Sequence, residues 1–187
     1  MFSKNYFFSN IALDWFGSNY MQMNEEKCHL MILGNKHEHT FAKIGESRIW
    51  EENKIKALGI TIDNRLDFNI HLEAICKKAN QKLSAMIRIM NTLNQSQKRI
   101  IIKSFVESQF NYCPLVWMFH SRKINNKINR LHERALRMVY IDYNSSFEQL
   151  LAKDNSVSVH HRNIQKLAIE IYKVQNNLSN KINKGLF

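Results

Sequence analysis

The chain has 187 residues, 44% of them hydrophobic, enough to bury a core and to exclude an intrinsically disordered polypeptide. A net charge of +11 with a pI near 9.7 favours a polyanionic partner. Five glycines that never form G-x-G or G-K-[ST] exclude a P-loop or a Rossmann phosphate turn.

Three separated cysteines, Cys28, Cys76 and Cys113, give neither a disulfide framework nor a metal knuckle, so the expected compartment is reducing and intracellular, nuclear or cytoplasmic. The longest apolar run, Cys113 to Phe119, is too short to span a bilayer. The first fifteen residues include Lys4, Asn5, Asn10 and Asp14 in place of a signal-peptide core, and no membrane association is expected.

Charge divides the chain. Residues 1–66 hold eight Lys/Arg and eight Asp/Glu, so the whole excess of +11 lies beyond Leu66. The abundance of Asn, Ile and Lys reflects A/T-rich codons in part, but codon bias spreads lysine evenly. Segregation of this size predicts two units with different surfaces, one neutral and one facing a polyanion.

In the neutral part, Ile11 to Tyr20 carries a short helical pattern. The run Cys28 to Leu33 reads as a strand ending at Gly34-Asn35, and Phe41 to Ile44, Ser47 to Trp50 and Ile55 to Ile62 read as further short strands. Beyond Leu66 the pattern is helical. Asp67 opens a long helix with Leu72, Ile75, Ala79, Leu83, Met86 and Met90 on its apolar side. Asn94-x-x-Gln97 resembles a capping box for a helix carrying Ile101, Phe105, Val106 and Gln109 toward the break at Cys113-Pro114. Helices follow over Ser121 to Tyr140, from a Ser145-x-x-Glu148 box to Lys153, and over Val157 to Asn176 with Ile164, Leu167, Ile171 and Val174 inward. The expected fold class is α+β, a small antiparallel sheet with one helix followed by a mostly helical bundle.

The Ser121 to Tyr140 helix carries the most informative pattern. Lys123, Lys127, Arg130, Arg134 and Arg137 follow at steps of four, three, four and three, all on one face. Ile124, Ile128, Leu131, Ala135 and Met138 run beside them, displaced by one residue, so the helix can bury one stripe and present a line of cations next to it. A solvated surface face is the bland alternative. Unbroken sign over four turns argues for contact with nucleic-acid phosphates, because exposed structural helices usually intersperse acids.

Other chemistry is discounted. His37-Glu38-His39 lacks a third metal ligand and reads as a loop, His132-Glu133 lacks the second histidine of H-E-x-x-H, and His160-His161 opens a helix. The acid pairs Glu25-Glu26 and Glu51-Glu52 read as turn surface, and Cys113 as a packed core thiol. No catalytic residue, metal ligand or cofactor is assigned.

Several segments together resemble the reverse transcriptases of non-LTR (LINE-type, jockey-like) retrotransposons, in the part that follows the catalytic palm strands. Met23-Asn-Glu-Glu-Lys-Cys-His-Leu-Met-Ile-Leu-Gly34 is similar to their N-x-x-K segment. Ile55-Lys-Ala-Leu-Gly-Ile-Thr-Ile-Asp63 through His71 is similar to their L-G-[IV] segment. Gln109-Phe-Asn-Tyr-Cys-Pro-Leu-Val-Trp117 with Arg130-Leu-His-Glu-Arg-Ala-Leu-Arg137 resembles the thumb, and Ser146 to Ser156 the tail.

The resemblance implies an unmatched leader over 1–11, a palm edge over 12–66, a helical thumb and tail over 67–178, and a terminal tail over 179–187. It implies that the thumb grips an RNA-DNA hybrid, that the hairpin at Leu58-Gly59 helps seat the primer end, and that Lys27 lies near the incoming nucleotide. The family's two magnesium ions are held by an aspartate strand and a [YF]-A-D-D hairpin. This chain contains no Asp-Asp dipeptide, and Asp63 matches a turn position. The expectation is a fragment that does not polymerise alone and lacks the fingers and catalytic palm of a longer polypeptide. The alternative is a helical interaction or dimerisation module with no nucleic-acid role.

Overall fold

A computed structural model describes residues 3–34, 41–44 and 47–178. The chain forms two compact units, Met1–Phe68 and Asn69–Phe187. His37-Glu38-His39 and the terminal tail lie outside the described residues.

The first unit opens with α1 (Ser3–Ser18), which runs without a break across residues 11 and 12. Two antiparallel ladders follow in place of one sheet. β1 (Phe41–Ile44) pairs with β2 (Ser47–Trp50), setting Phe41 opposite Trp50 with ring centroids 5.1 Å apart. Such aromatic cross-strand pairs stabilise short ladders.

The stretch read as one strand over Ile55 to Ile62 is a hairpin of β3 (Lys54–Ala57) and β4 (Ile60–Asp63). Its turn is Leu58-Gly59, with φ of +48° and +85°. Positive φ at both central residues gives the turn the hand that suits the strand twist. Glycine takes that geometry freely and leucine does not. Among the described residues the run Cys28 to Leu33 is not a strand: Leu30 alone bridges, in parallel, to Glu51. Asp63 closes the unit, its carboxylate accepting from the backbone N–H groups of Arg65, Asp67 and Phe68.

The second unit is helical. α2 (Asn69–Met90) buries all six apolar residues of its predicted stripe, together with His71 and Cys76. It starts two residues after Asp67, because Phe68 has a left-handed φ of +55°. α3 (Gln95–Phe105) is opened by a complete Asn94/Gln97 capping box and leads into a 3-10 turn, Glu107–Phe110. Its inward side differs from the expected one. Lys98, Ile102, Val106 and Phe110 point in, whereas Phe105 is half exposed.

α4 (Pro114–Trp117) begins with proline at its first position after Cys113 in left-handed geometry. That geometry turns Cys113 to solvent, so it is not the packed thiol expected from sequence. Trp117 and Phe110, both from the Gln109 to Trp117 motif, are the two largest fully buried side chains described. The Trp117 indole N–H donates to Tyr112 O at 3.0 Å.

α5 (Arg122–Tyr140), capped by Ser121, buries Ile124, Ile128, Leu131, Ala135, Leu136 and Val139. Each of the larger aliphatics contributes about 1.5–3 kcal/mol. α6 (Phe147–Lys153) starts one residue later than the sequence suggests, its box being Ser146/Gln149. Ser145 is held elsewhere, its N–H and hydroxyl both donating to Asp142.

α7 (Val159–Gln175), capped by Ser158, buries only Val159 and Asn163. Ile164 and Ile171, expected inward, are roughly half exposed. Asn163 occupies the inward position because the helix is rotated away from its aliphatic side. Among the described residues, no helix is long and apolar enough to cross a membrane.

Candidate functional site

The five cations of the predicted line sit on α5, whose buried stripe orients them. Lys123, Lys127, Arg130 and Arg134 are exposed, and Arg137 is half-buried. The arginine at the end of the line is engaged inside the fold. Its guanidinium donates to Glu133 Oε1 at 2.6 Å and to the carbonyls of Asp142 and Ser145 at 3.1 and 3.0 Å. Arg137 thereby ties the end of α5 to the loop that leads to α6. In that loop, hydrogen bonds from Ser145 and Lys153 hold the Asp142 carboxyl down at about 2.

α2 lies alongside α5 and points the same way. Its residues 73–80 share one groove with residues 127–134, and its residues 87–91 share another with residues 130–141. Arg134 reaches across this seam to donate to Asn80 Oδ1 at 2.7 Å. Exposed Lys77 lines the first groove beside Lys127, Arg130 and Arg134. The sequence reading missed Lys77, because its place next to the line depends on the packing of two helices about fifty residues apart.

The composite face therefore has Lys77 from α2 and Lys123, Lys127, Arg130 and Arg134 from α5, all exposed. Glu73 is the acid lining the first groove. Such a surface raises local positive potential and suits a line of phosphates. The thiol of Cys76 in the lining of the first groove is buried, and no paired carboxylates line that groove. Among the described residues, no group of three or more His, Cys, Asp or Glu can hold a metal ion.

A charged network that the sequence did not reveal stabilises this unit from within. Glu107 is almost fully buried and meets Arg99 from α3 and Arg162 from α7. Arg99 also pairs with buried Asp154 at 2.6 Å, and Asp154 accepts from the Tyr140 hydroxyl at 2.8 Å. Burial works against the Glu107 carboxylate, but Arg99 beside it overrides that and holds the carboxyl below its ordinary value. His132 completes the cluster, its Nε2 3.9 Å from Glu107 Oε1. Burial pushes its pKa down and keeps the ring neutral. The cluster joins α3, the 3-10 turn, α5, the end of α6 and α7, so its role is to lock their mutual positions.

The remaining sequence-derived residues belong to the first unit. Lys27 ends a 3-10 turn, Glu25–Lys27, and is exposed. Leu58 and Gly59 form the tip of the β3–β4 hairpin, with Leu58 89% exposed. Glu52 pairs with His29 at 2.6 Å.

Over 92 residues the chain is 28% identical to a protein of Drosophila melanogaster described as a probable RNA-directed DNA polymerase from transposon BS, a match covering 48% of this chain and 10% of that protein. It is also 26% identical over 122 residues to an uncharacterized protein of Caenorhabditis elegans, covering 64% of this chain and 61% of the other. No protein-family model and no solved structure matches the chain. The chain thus contains a stretch similar to a transposon reverse transcriptase, and it spans a small part of the fly protein.

Proposed function

We propose that this chain is the palm edge and thumb of a retrotransposon reverse transcriptase of the non-LTR type, and that its second unit grips an RNA-DNA hybrid through the α2–α5 face. The observation that carries this reading is the continuous line of five exposed cations drawn from two helices. Salt-sensitive backbone contact is the chemistry that such a line offers, and an A-like duplex is recognised by shape and backbone. The similarity to a transposon RNA-directed DNA polymerase supplies the polyanion class. With no Asp-Asp pair in its sequence, the chain binds without polymerising. The two magnesium ions belong to the complete enzyme.

The test is fluorescence anisotropy with a labelled RNA-DNA hybrid at several salt concentrations. The expected log-log slope is about −4 for four to five neutralised phosphates. Reversing Lys127, Arg130 and Arg134 to glutamate abolishes binding while the helical circular dichroism persists. Unchanged affinity overturns the proposal.

A second reading, a protein-interaction or dimerisation module, draws on α7, where Ile164, Ile169, Ile171 and Tyr172 are all exposed. A hydrophobic dimer persists or tightens as salt rises, so the same titration followed by sedimentation separates the two.

A further inference from the structure

The second groove along the α2–α5 seam has a floor that the phosphate line does not explain. It measures about 500 Å³, and its lining includes Met90, Met138, Ile141 and Tyr143 together with Lys98, Arg130 and Arg134. Lys98 projects from α3 into the helical core and is 5% exposed. Among the described residues its ammonium has no hydrogen-bond or ion-pair partner. Arg137 and Glu133, also in the lining, neutralise each other at 2.6 Å. Among the described residues, Lys98, Arg130 and Arg134 are then left as three cations with no carboxylate paired to them.

The Lys98 side chain is buried along most of its length and lines the groove, where its charge can meet an anion. The groove supplies room for that anion together with an apolar surface beside it. Its volume falls within the range of pockets that enclose small organic ligands. Tyr143, 70% exposed, is part of the lining and offers an aromatic ring to it.

Building on the duplex-binding reading, we infer that this groove takes one unpaired nucleotide of a nucleic-acid strand, with its phosphate on Lys98, Arg130 and Arg134 and its base against Met138, Ile141 and Tyr143. The phosphate line then holds the paired region, and the groove holds the strand where pairing ends. Stacking of a base on a side chain tolerates any sequence, so the site senses an unpaired end and not its identity.

The experiment compares a blunt hybrid with the same hybrid bearing a short single-stranded overhang, and titrates adenosine monophosphate and adenosine separately. Wild type is expected to bind the overhang hybrid roughly tenfold tighter than the blunt one. Lys98→Met removes that gain and leaves blunt-hybrid affinity and circular dichroism unchanged. Tyr143→Ala, at an exposed position where folding is not at risk, reduces the gain.

No gain from the overhang in wild type, or a full gain in both variants, overturns the inference. Failure of the duplex reading registers differently, as no affinity of wild type for the blunt hybrid. In that case adenosine monophosphate decides: binding that adenosine lacks and Lys98→Met loses supports the groove, and its absence overturns it.

Discussion

Arg134 on α5 donates to Asn80 on α2 across 2.7 Å, a bond to a neutral acceptor that fixes the guanidinium in place and leaves its charge intact. The middle of the cationic face is therefore held by one amide oxygen that carries no charge of its own.

Asn80→Asp replaces that oxygen with a carboxylate of nearly the same shape. The expected result is weaker hybrid binding, with the salt slope reduced in magnitude by about one, since one cation is neutralised. Anisotropy titrations at matched salt series check it, alongside circular dichroism to verify unchanged helix content.

Arg137→Met separates structural from phosphate-facing cations. Arg137 is engaged with Glu133 and two carbonyls, so its loss is expected to cost about 1–3 kcal/mol of stability. The salt slope stays at the wild-type value. Urea unfolding together with the titration gives both numbers.

Glu107→Ala leaves Arg99 and Arg162 without their buried carboxylate. Breaking a buried pair from one side is expected to destabilise by about 3–5 kcal/mol. Chemical denaturation measures the loss, and Glu107→Gln, which keeps the shape, is expected to lie between the two.

Acidification weakens the second unit. Burial lowers the pKa values of His132, His71 and His120 below 6.5. The unfolded chain therefore binds more protons as pH falls past 6.5. Stability is full above that value and declines as the solution is acidified toward the lowered folded-state values. Denaturation midpoints at about pH 7.5 and 5.5 are expected to differ, and His132→Phe is expected to shrink the difference.

Thiol labelling distinguishes the cysteines. Cys113 is exposed and is expected to react promptly in the folded protein. Cys76 is buried, and burial pushes its thiol up to about 11, so it is expected to react only on unfolding. Mass spectrometry of alkylated peptides over time reads the order.

Local signals made much of this fold legible. The Asn94/Gln97 box and the period of α2 place those elements, because both depend on neighbours within a few residues. The inward side of α3 is not legible in the sequence. Ile100, Ile101 and Ile102 are consecutive, so they define no unique face, and only tertiary packing selects Ile102 and with it Lys98. The rotation of α7 was likewise illegible, because polar Asn163 takes the inward position. At the candidate site, the α5 line was readable from spacing. Lys77 and the engagement of Arg137 were not, since each depends on contacts made by another segment.

The α2–α5 seam is made of segments about fifty residues apart, so the unfolded chain has the same charge but no line. A polyanion matched to that line binds the native state in preference to the unfolded one. By mass action it shifts the equilibrium by RT ln(1 + [L]/Kd), about 2.7 kcal/mol at a ligand concentration one hundred times Kd. On the proposed reading the hybrid is then a folding template as well as a ligand, and the melting temperature of the second unit is expected to rise with its concentration.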